Sequence, residues 1–321
     1  MKIGFHASQE QFSPSHLLHL VLMAEEAGFR MVTTSDHFHP WSERQGQSGF
    51  AWSWLGAAMQ ATSLEYGIVN APGQRYHPAV MAQAVATLLE MFPGRFWMAA
   101  GSGQALNENI TGERWPSKAE RNKRLYESVA MMRELWRGDY VNFEGTVKVE
   151  NAKLFTRPNE SPCVYGAALT EATSGWLGEW ADGLITISRP LDELKKLVKA
   201  FTQNGGEGKP LVLKMQVSYA ENEEKALEGA WDQWRNNIFP SSLLAELNTP
   251  AQFDELGQSV RKEDMAKHVL IGSDAGRFTE AIREYAGLGF SKIIIHNVNK
   301  WQEDFISFFG KEVLPDLKEN E

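Results

Sequence analysis

The sequence predicts an α/β fold, a (β/α)8 TIM barrel, and three observations predict it. Short β-branched or apolar runs alternate along the chain with longer stretches of helical periodicity, the pattern of repeated βα units around a parallel sheet. Eight such units can be counted, and eight parallel strands, each followed by a helix, close into a barrel. Polar and aromatic residues also crowd the positions just after the strand runs, where barrels keep their active sites.

The predicted strands are Lys2 to Ala7, Met31 to Ser35, Glu65 to Ala71, Arg95 to Gly101, Val164 to Ala168, Gly183 to Ser188, Leu211 to Tyr219 and Lys292 to Asn297. Between the first two, Ser13-Pro14 supplies a cap and a first-turn proline, and Gly28 closes the helix. Helices also open at Pro78, where Val80, Ala84 and Leu88 share a face, and at Pro190, where Leu191, Leu194, Leu197 and Val198 do. Residues 1–321 thus read as one barrel domain with two interruptions. A hairpin insert is expected at 140–158, around Phe143-Glu144-Gly145, and a polar, irregular insert at 239–267.

Composition removes several function classes. A net charge of −9 with no basic run argues against a nucleic-acid partner. Cys163 is the single cysteine, so neither a disulfide framework nor a cysteine-rich zinc site is expected, which suits a reducing, cytoplasmic setting. The first strand starts at Lys2 and no apolar run approaches the roughly 18 residues that span a bilayer, so neither a signal peptide nor a membrane partner is expected. A small-molecule substrate is the partner that remains.

The strand ends hold the candidate chemistry. His6 and Glu10-Gln11-Phe12 follow strand one, and Asp36-His37-Phe38-His39-Pro40-Trp41 follows strand two. Asn70-Ala71-Pro72 ends strand three, Gly101-Ser102-Gly103-Gln104-Ala105-Leu106-Asn107 strand four, Thr170 to Ser174 strand five and His296-Asn297 strand eight. His37-x-His39 admits a zinc reading, but Val164 to Ser188 offers no histidine to complete a ligand set, and no metal is expected. Gly101-Ser102-Gly103-Gln104 lacks the third glycine of a dinucleotide fingerprint, although glycines there let a flat ring or a phosphate approach the backbone. The helix start at Thr170 to Ser174 reads either as an anion site for a cofactor phosphate or as a plain cap.

The stretches "SQEQF", "TTSDHFHPW", "RYHPAVMAQAVATL" and "GSGQALNENITG", in that order and spacing, resemble the luciferase-like flavin and deazaflavin barrel superfamily, within it the branch of deazaflavin-dependent glucose-6-phosphate dehydrogenases. The likeness runs from Met1 to the last helix. It implies that Asp36 and His37 sit against a flavin-type tricycle, with Trp41 and Glu10 on the substrate side. Ala71 would back the ring at a turn where a non-proline cis peptide is an expectation of the family. Ser102, Gly103 and Asn107 would hold the ring and its tail, and Leu169, Thr170, Ala172 and Thr173 would meet the phosphate. The resemblance also implies a homodimer, with Trp52-Ser53-Trp54 read either as contacts between subunits or as residues buried within one.

Departures from that branch set the cofactor and substrate expectations. Gln104 stands where the branch carries a catalytic glutamate, and an amide cannot deliver a proton. Pro190, Asn248 and His268 occupy the positions of the cationic phosphate clamp, so glucose 6-phosphate is not the expected substrate. Leu169 and Thr170 replace glycines at the cofactor phosphate. These changes resemble an offshoot of flavin oxidoreductases that no longer use deazaflavin, and hydroxyls at the helix start suit a short phosphate. The expectation is therefore an FMN-dependent oxidoreductase, with monooxygenation open and with His37, Trp41, Glu10 and Gln104 as the catalytic set. A deazaflavin-dependent alcohol or sugar dehydrogenase is the alternative, and a non-catalytic flavin-binding barrel the second.

Overall fold

The computed structural model describes residues 1–318. Its strands are β1 (Lys2–Ala7), β2 (Met31–Ser35), β3 (Glu65–Asn70), β4 (Phe96–Ala100), β5 (Val141–Glu144), β6 (Lys148–Ala152), β7 (Val164–Ala167), β8 (Gly183–Ile187), β9 (Leu211–Tyr219), β10 (Leu270–Gly272) and β11 (Phe290–Asn297). Eight of them run parallel in the order β9-β11-β1-β2-β3-β4-β7-β8, and pairing of β8 with β9 closes the ring. This is the closed (β/α)8 barrel expected from the alternating runs.

β10 is the strand that sequence periodicity missed, because three residues are too few to show a period. It matters for the mouth. β8 pairs with β9 from Leu184 opposite Leu211 up to Ile187 opposite Lys214 and no further, and β10 then takes the same edge of β9 at Val217 to Tyr219. Between those two partners β9 presents Met215 and Gln216, where the wall of the barrel changes strands.

The helices follow from local chemistry. Ser13 caps Pro14–Ala27, accepting the His16 amide, and Gly28 ends it at φ +98°, where a side chain would be strained. Ser117 and Glu120 form a reciprocal capping box at the start of Lys118–Arg137. Inside the barrel, Met31, Trp97, Ala99, Tyr165, Ile185, Val212 and Ile294 pack as a floor, while the larger apolar cluster lies between the sheet and its helices. Side chains two residues further along each strand from that floor point into the mouth.

β5 and β6 pair antiparallel as a hairpin outside the barrel. The stretch expected to be irregular at 239–267 contains Ser241–Leu244, Pro250–Gly257 and a 3-10 segment, Lys262–Lys267, with Phe253 fully buried. Trp52 and Trp54 are buried within the chain, their indoles donating to Asp36 and to the Pro14 carbonyl, so of their two readings the one within a single subunit holds. Among the described residues no helix is long and apolar enough to cross a membrane.

Candidate active site

Three loops at the carboxyl ends of β2, β3 and β4 are tied together by one buried ionic network. Asp36, just after β2, is buried, and its Oδ2 accepts from Asn70 at 2.6 Å and Trp52 at 3.3 Å while Oδ1 accepts from the Tyr76 hydroxyl at 3.1 Å. Arg75, after β3, donates to the Asp36 carbonyl at 2.6 Å and stands 3.3 Å from its carboxylate. On its other side the Arg75 guanidinium lies 3.6 Å from Glu108, after β4, which accepts the Arg75 amide at 2.8 Å. Burial pushes the Glu108 carboxyl up, and the Arg75 charge only partly offsets it. Asp36 is thus satisfied by protein donors and holds its loop in place.

Above this network sits the pair that can move a proton. His37 Nδ1 is 2.6 Å from Glu10 Oε1. At that distance the two form an ion pair once the ring takes up a proton; the alignment is poor for a hydrogen bond, and Nδ1 has no other partner. Glu10 is 2% exposed and accepts hydroxyl bonds from Ser35 at 2.5 Å and Ser8 at 2.8 Å. Burial alone would raise its pKa; the His37 charge, contact with that ring and the Ser35 bond outweigh it and hold the carboxyl well below the usual carboxylate range. With Nδ1 turned to Glu10, the partly exposed His37 ring offers its Nε2 to the mouth.

Trp41 meets the His37 ring edge-on, centroids 4.8 Å apart at 85°, and is propped from behind by Phe253 at 5.3 Å. Asn107 Oδ1 accepts the Phe38 and His39 amides at 2.8 and 3.2 Å, and His39 Nδ1 lies 2.8 Å from the Leu106 carbonyl. The side-chain oxygen of Asn107 therefore fixes the Phe38-His39 turn instead of reaching outward for a ring. His37 and His39 serve different partners, and among the described residues no group of three or more His, Cys, Asp or Glu is arranged to hold a metal.

Beside His37 the wall is made of small residues. Gly103 has φ +81°, and a Cβ there would stand 3.3 Å from the Ala71 Cβ and 3.0 Å from Glu108 Cγ. A Cβ on Gly101 would make only ordinary contacts, with the Ala167 Cβ at 3.7 Å and the Asn70 carbonyl at 3.9 Å. This leaves a flat, shallow face between Ala71, Gly101, Gly103 and Ala167 that suits a planar ring system. The Ala71 turn is made with a trans peptide, since there is no cis bond among the described residues, contrary to the expectation for that turn. Ser102 accepts from Lys118 at 2.8 Å, and Gln104 occupies the cap position of Ala105–Glu108 without using its side chain as a cap.

The helix start after β7 differs from its reading as an open phosphate site. Thr170 Oγ1 accepts the Thr173 amide at 3.3 Å and donates to Thr173 Oγ1 at 3.0 Å. Its hydroxyl is the plain cap of Glu171–Gly178. Leu169 and Thr173 are half-buried there, Thr170 and Ala172 exposed.

Sequence reasoning missed Arg75, Glu108, Trp234 and Lys214. Arg75 and Glu108 lie within quoted motifs, but nothing in their spacing says that they bracket Asp36. Lys214 had a readable signal: it is the one cation inside the apolar run Leu211 to Val217.

Residues 1–292 match the family model described as luciferase-like monooxygenase. An F420-dependent glucose-6-phosphate dehydrogenase from Microbacterium testaceum (strain StLB037) is 35% identical over 329 residues, covering 99% of this chain and 98% of the relative. The enzyme of that name from Mycolicibacterium smegmatis is 34% identical over 337 residues, with 99% and 98% covered. Among solved structures, an F420-dependent secondary alcohol dehydrogenase in complex with an F420-acetone adduct superposes with a TM-score of 0.90 at 28% identity, covering 97% of this chain and 98% of that one.

Proposed function

The chain belongs to the luciferase-like monooxygenase family, and from that premise we propose that it is a deazaflavin-dependent dehydrogenase that oxidises an alcohol carbon. That its relatives are oxidoreductases sets the reaction class. The observation that carries the reading is the His37–Glu10 pair at 2.6 Å beside a wall of small residues.

Ala71, Gly101 and Gly103 would hold a deazaflavin ring, which would supply a two-electron acceptor for hydride. The protein's own part is orientation and proton handling. His37 Nε2 accepts the hydroxyl proton, and the buried Glu10 carboxylate, kept ionised by its neighbours, stabilises the imidazolium that results. Trp41 closes one side of the substrate space and keeps the His37 ring upright. Gln104 can orient a substrate oxygen by donating or accepting a hydrogen bond, while no proton passes through it.

Support moves here from FMN to deazaflavin for two reasons. The relatives with full-length similarity use F420. The hydroxyls that argued for a short phosphate are engaged in capping, so that argument lapses. Optical titration of the purified protein with F420 and with FMN tests the choice: saturable F420 binding together with alcohol-dependent bleaching of its absorption is expected. FMN binding without F420 binding would return the protein to the flavin reading, and binding with no turnover of any alcohol would make it a non-catalytic barrel. His37→Ala should lower kcat by about 100-fold or more while leaving cofactor affinity within a few-fold.

A further inference from the structure

Beside the His37–Glu10 pair, on the adjoining strands β1, β11 and β9, the mouth contains a second polar group that the proton-handling pair does not use. Strand parity places it. Val212 on β9 and Ile294 on β11 belong to the barrel floor, so Lys214 and His296, two residues on, point into the mouth. His6 follows Gly4 on β1 in the same way, and a Cβ at Gly4 would collide with Met31 and Ile294 of the floor. His6 and His296 stack with centroids 4.3 Å apart, and Trp234 covers His296 edge-on at 4.8 Å.

His6 is anchored, its Nδ1 lying 3.0 Å from the Thr33 hydroxyl. His296 is not. It is 2% exposed, yet both ring nitrogens lack a hydrogen-bond partner. Lys214 is ringed by protein, reaches partly exposed space, and has no ion-pair or hydrogen-bond partner among the described residues. Glu10, the one carboxylate whose field it feels, is already taken by His37, Ser35 and Ser8.

A half-buried cation without a counter-ion and a fully buried imidazole without a partner are both unfavourable, and a ligand oxyanion would relieve both. Burial, and after it the nearby Lys214, hold His6 and His296 well below the usual imidazole range, while burial also lowers the Lys214 ammonium and the field of Glu10 raises it. Lys214 is thus the one ammonium of the group, and with the Glu10 carboxylate nearby a singly charged oxyanion suits it better than a doubly charged phosphate. Gln216, the next inward residue on β9, is held by Ser188 at 2.7 Å and marks the outer edge of the space.

We propose that Lys214 and His296 form a carboxylate-recognition subsite, so that the alcohol oxidised at His37 is a hydroxy acid. The proposal rests on the dehydrogenase reading for its reaction, but the subsite stands on the placement of Lys214 and His296 themselves. It would let the barrel recognise an anion from β9 and β11.

The test uses the full chain without cofactor, reading quenching of tryptophan fluorescence, to which Trp234 against His296 contributes. Glycolate, lactate and 3-hydroxybutyrate are titrated beside their amides, and inorganic phosphate is the second arm. At least one acid should bind saturably and at least 10-fold more tightly than its amide, and Lys214→Met should abolish that preference. His296→Phe should weaken the acid without affecting the amide. Equal binding of acid and amide, no saturable binding by any acid, or Lys214-dependent binding of phosphate more tightly than of every acid would each overturn the proposal. Should Lys214→Met fail to fold, the acid-to-amide ratio in the wild type still decides. F420 titration is run separately: loss of F420 binding with acid binding intact would refute the dehydrogenase reading alone.

Discussion

Glu10 is the residue on which the proposed chemistry turns, because a buried carboxylate is useful to His37 only while ionised. Its folded pKa lies below the ordinary value of 4.5, so it contributes stability that is fully present above that value and is lost as pH falls towards the folded one. Glu10→Gln should therefore be less stable than the wild type at neutral pH, and the difference should shrink below about pH 5. Urea unfolding at several pH values measures it. A gap that stays constant with pH would mean that Glu10 is not held ionised by its neighbours. Lys214 shows the residue-scale limit of reading a sequence. A lysine in an apolar strand run looks like an edge or a snorkelling side chain until the floor residues Val212 and Ile294 define which parity faces inward.

At the scale of elements, the three loops after β2, β3 and β4 are tied together because Arg75 bridges Asp36 and Glu108. Removing the cation leaves two buried carboxylates facing each other's field. Arg75→Met should cost about 3–5 kcal/mol, the usual penalty for breaking a buried pair from one side. Chemical denaturation reads this directly; a loss under about 1 kcal/mol would show the loops to be held by packing alone. Gly103 is the complementary case. Its positive φ and the 3.3 Å approach to Ala71 mean that Gly103→Ala both strains the turn and thickens the flat wall. A stability loss of about 1–2 kcal/mol is expected, with F420 affinity falling by more than the stability change alone explains. Elements were the legible level of this molecule. The eight barrel strands are β-branched or apolar runs bounded by turn residues, and Ser13-Pro14 and Gly28 announce their helix unaided. β10 was too short to show a period, and the Thr170 hydroxyl could not be assigned from sequence because a cap and a phosphate ligand use the same side chain. The quoted motifs named Glu10, His37 and Trp41, which the fold brings together; which partner satisfies Asp36 depends on Arg75, Asn70 and Tyr76 from another loop.

For the whole molecule, the mouth is assembled from both halves of the chain, and this couples cofactor binding to global stability. Trp41 from the β2 loop rests on Phe253, a fully buried ring in the segment between β9 and β10, and Asp254 beside it accepts from Ser42 at 2.7 Å and Arg44 at 2.6 Å. The late segment thus braces the early loop that carries His37. Truncating the brace creates a cavity under Trp41, so Phe253→Ala should cost about 3–5 kcal/mol. It should also loosen the substrate side more than the ring side, raising KM by a larger factor than the cofactor Kd. Because a ligand that binds only the folded state stabilises it by mass action, F420 at about 100 times its Kd should add about 2.7 kcal/mol to wild type and variant alike. Thermal unfolding with and without F420 measures that increment. If the increment collapses in Phe253→Ala, the brace supports the ring itself; if it persists while KM rises, the late segment shapes the substrate space, as the contact between Phe253 and Trp41 requires.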